Sequence, residues 1–154
     1  MSEPIKVQIL QGILTRLQDA KTNLLPGDID APRKVEMTFD LATQLKQLPN
    51  WQLYHEDETE VPTLKDTRGR TYDFPIAIKV SVQAPHDLAL AVERHVAEVE
   101  RIMESDIQLA GLVSIIDNGG VQLALGTGDQ PVGVAILTYT VRYRRALGNP
   151  YATY

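Results

Sequence analysis

From Val132 to Arg145 the chain alternates at strict two-residue spacing, and no other stretch constrains the fold as much. Ala135, Leu137, Tyr139, Val141 and Tyr143 fall on one side, and Val134, Ile136, Thr138, Thr140, Arg142 and Arg144 fall on the other. Successive side chains of a strand point to opposite faces, so this period specifies a strand. Its first half can be buried on both faces. Its second half is apolar on one side and cationic on the other, which suits a strand that begins inside a domain and ends at a surface facing water or an acidic partner.

The remaining periods supply what such a strand packs against. Ile5, Ile9, Leu10, Ile13, Leu14, Leu17 and Leu24 recur at three- and four-residue steps, which predicts an amphipathic helix of about five turns stopped by Leu25-Pro26-Gly27. Val35, Met37 and Phe39 alternate within Lys34 to Asp40 as a half-buried strand, and a short helix over Leu41 to Leu48 follows. Trp51, Leu53 and His55 alternate with Gln52, Tyr54 and Glu56 as another strand. Phe74, Ile76, Ile78, Val80 and Val82 mark a long strand with Pro75 near its start. Asp87 is placed to cap a second helix, whose Leu88, Val92, Val96, Val99, Ile102 and Met103 form one stripe opposite Glu93, Arg94, Glu98, Glu100 and Arg101. Burying that stripe contributes on the order of 10 kcal/mol before conformational entropy is set against it. Leu112 to Ile116 and Val121 to Leu125 flank Asp117-Asn118-Gly119-Gly120, which predicts a tight hairpin because Asn-Gly accepts positive φ. Gly126 to Pro131 then turns the chain into the terminal strand. The expected fold is α+β, a mostly antiparallel sheet of about five strands with two helices packed on one face.

At 154 residues the chain is sized for one domain over 1–154, and its apolar and charged contents of 44% and 23% are those of an ordinary globular protein. A charged loop over about residues 55–71 is expected to project, and 146–154 forms a short C-terminal tail. Lys and Arg number 15 against 20 Asp and Glu, and the net charge of -5 argues against a phosphate-backbone binder. No cysteine is present, so no disulfide or thiolate metal site is expected. No apolar run reaches the roughly 18 to 20 residues that span a bilayer, and Met1-Ser2-Glu3-Pro4 lacks a basic signal-like start, so synthesis in the cytoplasm is expected.

Chemistry-bearing motifs are sparse. His55, His86 and His95 are too dispersed for a metal site, and His95 lies beside an apolar helix stripe, which favours a structural role. The acidic run Glu56-Asp57-Glu58 and Glu60 lacks the spacing of a calcium loop. Gly126-Thr127-Gly128 lies between strands rather than before a helix, so it reads as a turn. Ser81, Ser105 and Ser114 sit in no nucleophile pattern. The expectation is a protein that is not an enzyme and has no catalytic, cofactor or metal residues. Its candidate interface residues are Glu56, Asp57, Glu58, Glu60, Arg68, Arg70, Arg142, Arg144, Arg145 and Tyr151. Arg142, Arg144 and Arg145 serve equally well to contact a partner or to guard an edge strand, and Tyr151 and Tyr154 suit aromatic anchors or a loose tail.

The order of elements resembles the tail-terminator (tail-completion) proteins of long-tailed bacteriophages over nearly the whole chain. Asp106 to Val113 is similar to that family's helix-to-strand junction, and Val141-Arg142-Tyr143-Arg144 followed by Asn149-Pro150-Tyr151 is similar to its C-terminal motif. The resemblance implies a virion protein at the head-proximal end of the tail, assembled in the host cytoplasm. Its copies would close into a hexameric ring, stop polymerisation of the tail tube protein and meet the head-tail connector or neck proteins, with the sheath as a further neighbour where the tail contracts. Another neck component and a small-ligand-binding α+β domain are the alternatives. Neither nucleic-acid recognition nor membrane attachment is implied. Ring closure makes one patch meet a different patch on the next copy, so the acidic run is expected to face the arginines of a neighbour.

Overall fold

A computed structural model describes residues 3–20, 31–38, 48–64, 66–84, 86–126 and 131–153. Helix α1 spans Ile5–Ala20 and helix α2 spans Leu88–Glu104. The strands are β1 (Lys34–Met37), β2 (Asn50–His55), β3 (Thr59–Glu60), β4 (Gly69–Gln83), β5 (Ile115–Leu125), β6 (Val132–Ala146) and β7 (Asn149–Thr153). The expected helix end at Leu24, Phe39, the short helix over 41–47 and the turn at 127–130 lie outside the described residues.

The expectation of a mostly antiparallel sheet of about five strands is overturned. Among the described residues seven strands form one curled, mixed sheet in the order β1-β2-β4-β6-β5, with β3 added to β4 and β7 added to β6. β1 runs parallel to β2, and the segment between Met37 and Asn50 is long enough for the dozen-residue crossover that a parallel pair needs. β3 and β7 exist because β4 and β6 are long enough to template extra partners. β3 continues the row of β2 along β4, and β7 continues the row of β5 along β6.

β4 and β6 form the centre, paired from Gly69↔Ala146 to Gln83↔Val132. Phe74, Ile76, Ile78 and Val80 lie opposite Val141, Tyr139, Leu137 and Ala135, so their side chains share one face, and all are buried. Pro75 lies well inside β4 rather than near its start. Its carbonyl accepts from the Glu56 amide at 3.0 Å, so its missing N–H faces the gap where the row of β2 gives way to β3. α2 covers this face with Leu88, Val92, Val96, Val99, Ile102 and Met103, and it comes close because residue 133 is glycine. A Cβ there would sit 2.5 Å from Val92 Cγ2. Asp87 adopts a left-handed φ of 53° and makes no side-chain cap bond, so the helix starts without the expected cap. Glu98 is buried rather than opposite the stripe, and it holds the Arg101 guanidinium in a two-point bond.

α1 buries Ile5, Ile9, Leu10, Ile13 and Leu17 in the same core. Arg16 fastens it to the end of α2, donating to Ser105 Oγ at 2.6 Å and to the Asp106 carbonyl at 3.0 Å. The chain then leaves α2 through Leu109, Ala110 and Gly111, all with positive φ. The Asp106 carboxylate holds that turn by accepting from the amides of Ala110 and Gln108, and those bonds keep its pKa below the ordinary carboxylate value.

The expected hairpin at Asp117 to Gly120 is a β-bulge inside β5. Asn118 opposes Tyr139 and Gly120 opposes Thr138, leaving Gly119 as an extra residue. Gly120 has φ +109°, its amide donates to Asn118 Oδ1 at 2.7 Å, and its carbonyl accepts from Thr138 Oγ1 at 3.3 Å. Neither Asn118 nor Gly119 takes the positive φ that a tight turn asks of them; Gly120 takes it instead, and β6 offers a ladder to both flanks.

Tyr139 is 2% exposed, and its hydroxyl has no hydrogen-bond partner. Burial raises its pKa, with the Glu100 and Glu104 charges adding to the shift. Tyr139→Phe is expected to stabilise the fold by about 1 kcal/mol by removing an unsatisfied buried group. The wild type loses stability above about pH 10, where the unfolded phenol ionises and the folded one does not. The variant lacks Tyr139's share of that loss and keeps the share of Tyr54, and urea titrations at neutral and alkaline pH check both points.

Candidate functional site

The acidic loop folds back on its own chain. Because β3 pairs with β4 through Thr59↔Asp73 and Glu60↔Tyr72, Glu58 and Glu60 come alongside arginines of β4 and β6. Asp73 lies directly across the ladder from Arg142 and accepts from Nε at 2.8 Å and Nη2 at 3.0 Å. That two-point bond, and then the charge of Asp73, raises the Arg142 pKa further. Arg70 reaches Glu60 at 3.2 Å, Arg144 reaches Asp66 at 3.6 Å, and Arg68 lies 3.9 Å from Asp66. Arg145 lies 3.7 Å from Glu58, 4.3 Å above the Tyr72 ring and 2.8 Å from its hydroxyl. Tyr72 stacks on Tyr143 at 5.6 Å, and the Tyr143 hydroxyl donates to Glu58.

Seven of the ten candidate residues, Glu58, Glu60, Arg68, Arg70, Arg142, Arg144 and Arg145, thus take part in ion pairs within the chain. Glu56, Asp57 and Tyr151 are exposed outside that network. Half-exposed pairs contribute about 0 to 1 kcal/mol each, so the network serves mainly to hold β3 and the loop against β4. β6 lies between β4 and β5, so its arginines do not guard an edge.

Of the histidines weighed for chemistry, His95 and His55 have structural partners. His95 is buried, and its Nδ1 accepts from Trp51 Nε1 at 3.1 Å. His55 lies 5.2 Å from the Phe74 ring, and His86 is exposed. Among the described residues no group of three or more His, Cys, Asp and Glu stands ready to hold a metal ion, and no helix is long and apolar enough to cross a membrane. Gly126 closes the β5–β6 hairpin, its amide donating to the Val132 carbonyl at 2.8 Å. A shallow cavity of about 240 Å³ lies on the sheet face away from the helices, lined in part by Tyr54, His55, Thr138 and Thr140. Burial and then Glu56 raise the Tyr54 pKa there.

The surface that the sequence did not disclose is β5. It is the last strand of the main sheet path, and Val121, Leu123 and Leu125 are 38%, 41% and 48% exposed. Their partners Leu137, Ala135 and Gly133 show that they lie on the helix-covered face, where α2 meets Leu125 over Gly133 but leaves all three partly open. His95 turns one flank of α2 toward Trp51 in β2, so the opposite flank, bearing Glu93, Glu100 and Glu104, turns toward β5. The result is an apolar ledge with an acidic rim. The alternation of Val121, Leu123 and Leu125 with Gln122 and Ala124 is present in the sequence, but Asn118-Gly119 breaks its phase with Ile116, so the length of the edge is not legible there. Compared with known proteins, the chain matches no family model and no curated protein sequence.

Proposed function

We propose that this chain is a structural subunit of a virion, of the tail-terminator kind. Copies close into a hexameric ring at the head-proximal end of the tail, stop growth of the tail tube and offer the opposite face to the connector. The subunit works by fit and charge, with no reaction centre and no cofactor. The observation that carries the reading is the open edge of β5. The Ile107 carbonyl takes the Ile116 amide, but from Val121 to Leu125 this edge strand, with its exposed apolar face, leaves backbone donors and acceptors for another chain. Natural proteins blunt such edges with lysine, proline or a bulge, and β5 carries only the bulge at Gly119, with no lysine or proline along Val121 to Leu125. The resemblance in element order adds the identity of the assembly.

The test is native mass measurement and electron microscopy of the purified chain, alone and with polymerising tail-tube subunits. A ring on the tube end and shortened tubes are expected. A monomer at every concentration, beside tubes of unchanged length, sinks the proposal.

A further inference from the structure

The ring reading leaves open which surfaces meet, and two patches of opposite character answer it. The first is the ledge of Val121, Leu123 and Leu125 under the acidic flank of α2. The second lies at the β6–β7 turn, where Leu147 is 54% exposed and its amide donates to the Arg68 carbonyl at 2.9 Å. The Arg68 side chain is 75% exposed while lying near Asp66, so an apolar tip and a cationic arm travel together.

We infer that the ledge between α2 and β5 of one copy receives the Leu147–Arg68 tip of the next copy. Leu147 covers the apolar floor, and Arg68 lies against Glu100 and Glu104, which stand one turn apart on α2. This assignment rests on the ring reading and gives it its contact. The two rival occupants are less favourable. Pairing β5 with β5 of a second copy sets two acidic helix flanks side by side, and like charges across an interface cost affinity. The other sheet edge, β1, is four residues long, and Gln18 of α1 donates to its Val35 carbonyl at 3.2 Å. A ledge that takes a different patch of its neighbour is a heterologous contact, the kind that closes rings.

The chain contains no cysteine, so single cysteines report the contact cleanly. Leu123→Cys and Leu147→Cys change exposed positions, and circular dichroism verifies that each variant is folded. With a short bismaleimide, the mixture of the two is expected to give a mixed cross-linked dimer several-fold above either variant alone, and the double variant a ladder ending at ring size. Adding Arg68→Glu to the Leu147 variant lowers the yield several-fold. Self-cross-linking of Leu123→Cys as strong as the mixture, or no cross-link in the mixture, overturns the contact. Tube capping by the wild type is scored separately. Capping without the Leu123–Leu147 link sinks only the contact, and the link without capping sinks only the tail-terminator reading.

Discussion

Replacing Trp51 with alanine is expected to cost about 3–5 kcal/mol, the range for emptying a buried aromatic site, out of a total stability of about 5–15 kcal/mol. Trp51 is fully buried in β2, with Val35 of β1 on one side and Val80 of β4 on the other. Its ring meets His95 edge-on at 6.0 Å and 87°, and its Nε1–H donates to His95 Nδ1 at 3.1 Å. That bond requires an imidazole whose Nδ1 carries no proton. Truncation therefore removes volume at the junction of β2 and α2 and also removes the donor facing a buried acceptor. Trp51→Phe separates the two effects. It keeps an aromatic ring but not the donor, and is expected to cost about 1–3 kcal/mol. Combined with His95→Ala, a double-mutant cycle should show coupling of about 0.5–3 kcal/mol. Urea unfolding followed by circular dichroism checks this without relying on the lost tryptophan. Loss of less than about 1 kcal/mol in Trp51→Ala would show that the site collapses around the gap.

That junction also marks where local pattern stops being informative. The strands at 72–83 and 132–145 and the stripe of α2 are legible because one buried face forces a period on the residues that form it. β3 and β7 carry no such period. Thr59–Glu60 and Asn149–Thr153 become strands only because β4 and β6 run past their other partners. The parallel pairing of β1 with β2 is likewise absent from either segment, since a ladder's direction is set by the crossover between them. Charge is legible as sign and not as partner. Glu58 to Glu60 and Arg142 to Arg145 can be read as halves of a contact, yet whether the halves belong to one chain depends on β3 zipping onto β4. At Asp117 to Gly120 the local residues allow two outcomes, and only the length of β6 decides between them.

The bulge gives the second large effect, with a built-in rescue. Ile116 and Asn118 share a face with Val121, Leu123 and Leu125 only because Gly119 is extra; without a bulge, an uninterrupted ladder would turn the three apolar residues to the opposite side. Gly120 holds the bulge at φ +109°, a conformation closed to a β-branched residue. Gly120→Val is therefore expected to destabilise the protein by about 2–3 kcal/mol. Deleting Gly119 removes the need for that conformation, because Asn118, residue 120 and Val121 then alternate regularly against Tyr139, Thr138 and Leu137. The deletion alone should leave stability near that of the wild type, and the deletion combined with Gly120→Val should recover most of the loss. Thermal and urea unfolding of the three variants decide it, and failure of the deletion to rescue the valine would show that positive φ is not what position 120 requires. The deletion also separates fold from assembly. It keeps the apolar residues on their face but removes the local bend and added twist that a bulge gives β5. If the neighbouring copy reads that curvature, cross-linking between positions 123 and 147 should fall in the deletion variant while its unfolding midpoint stays unchanged.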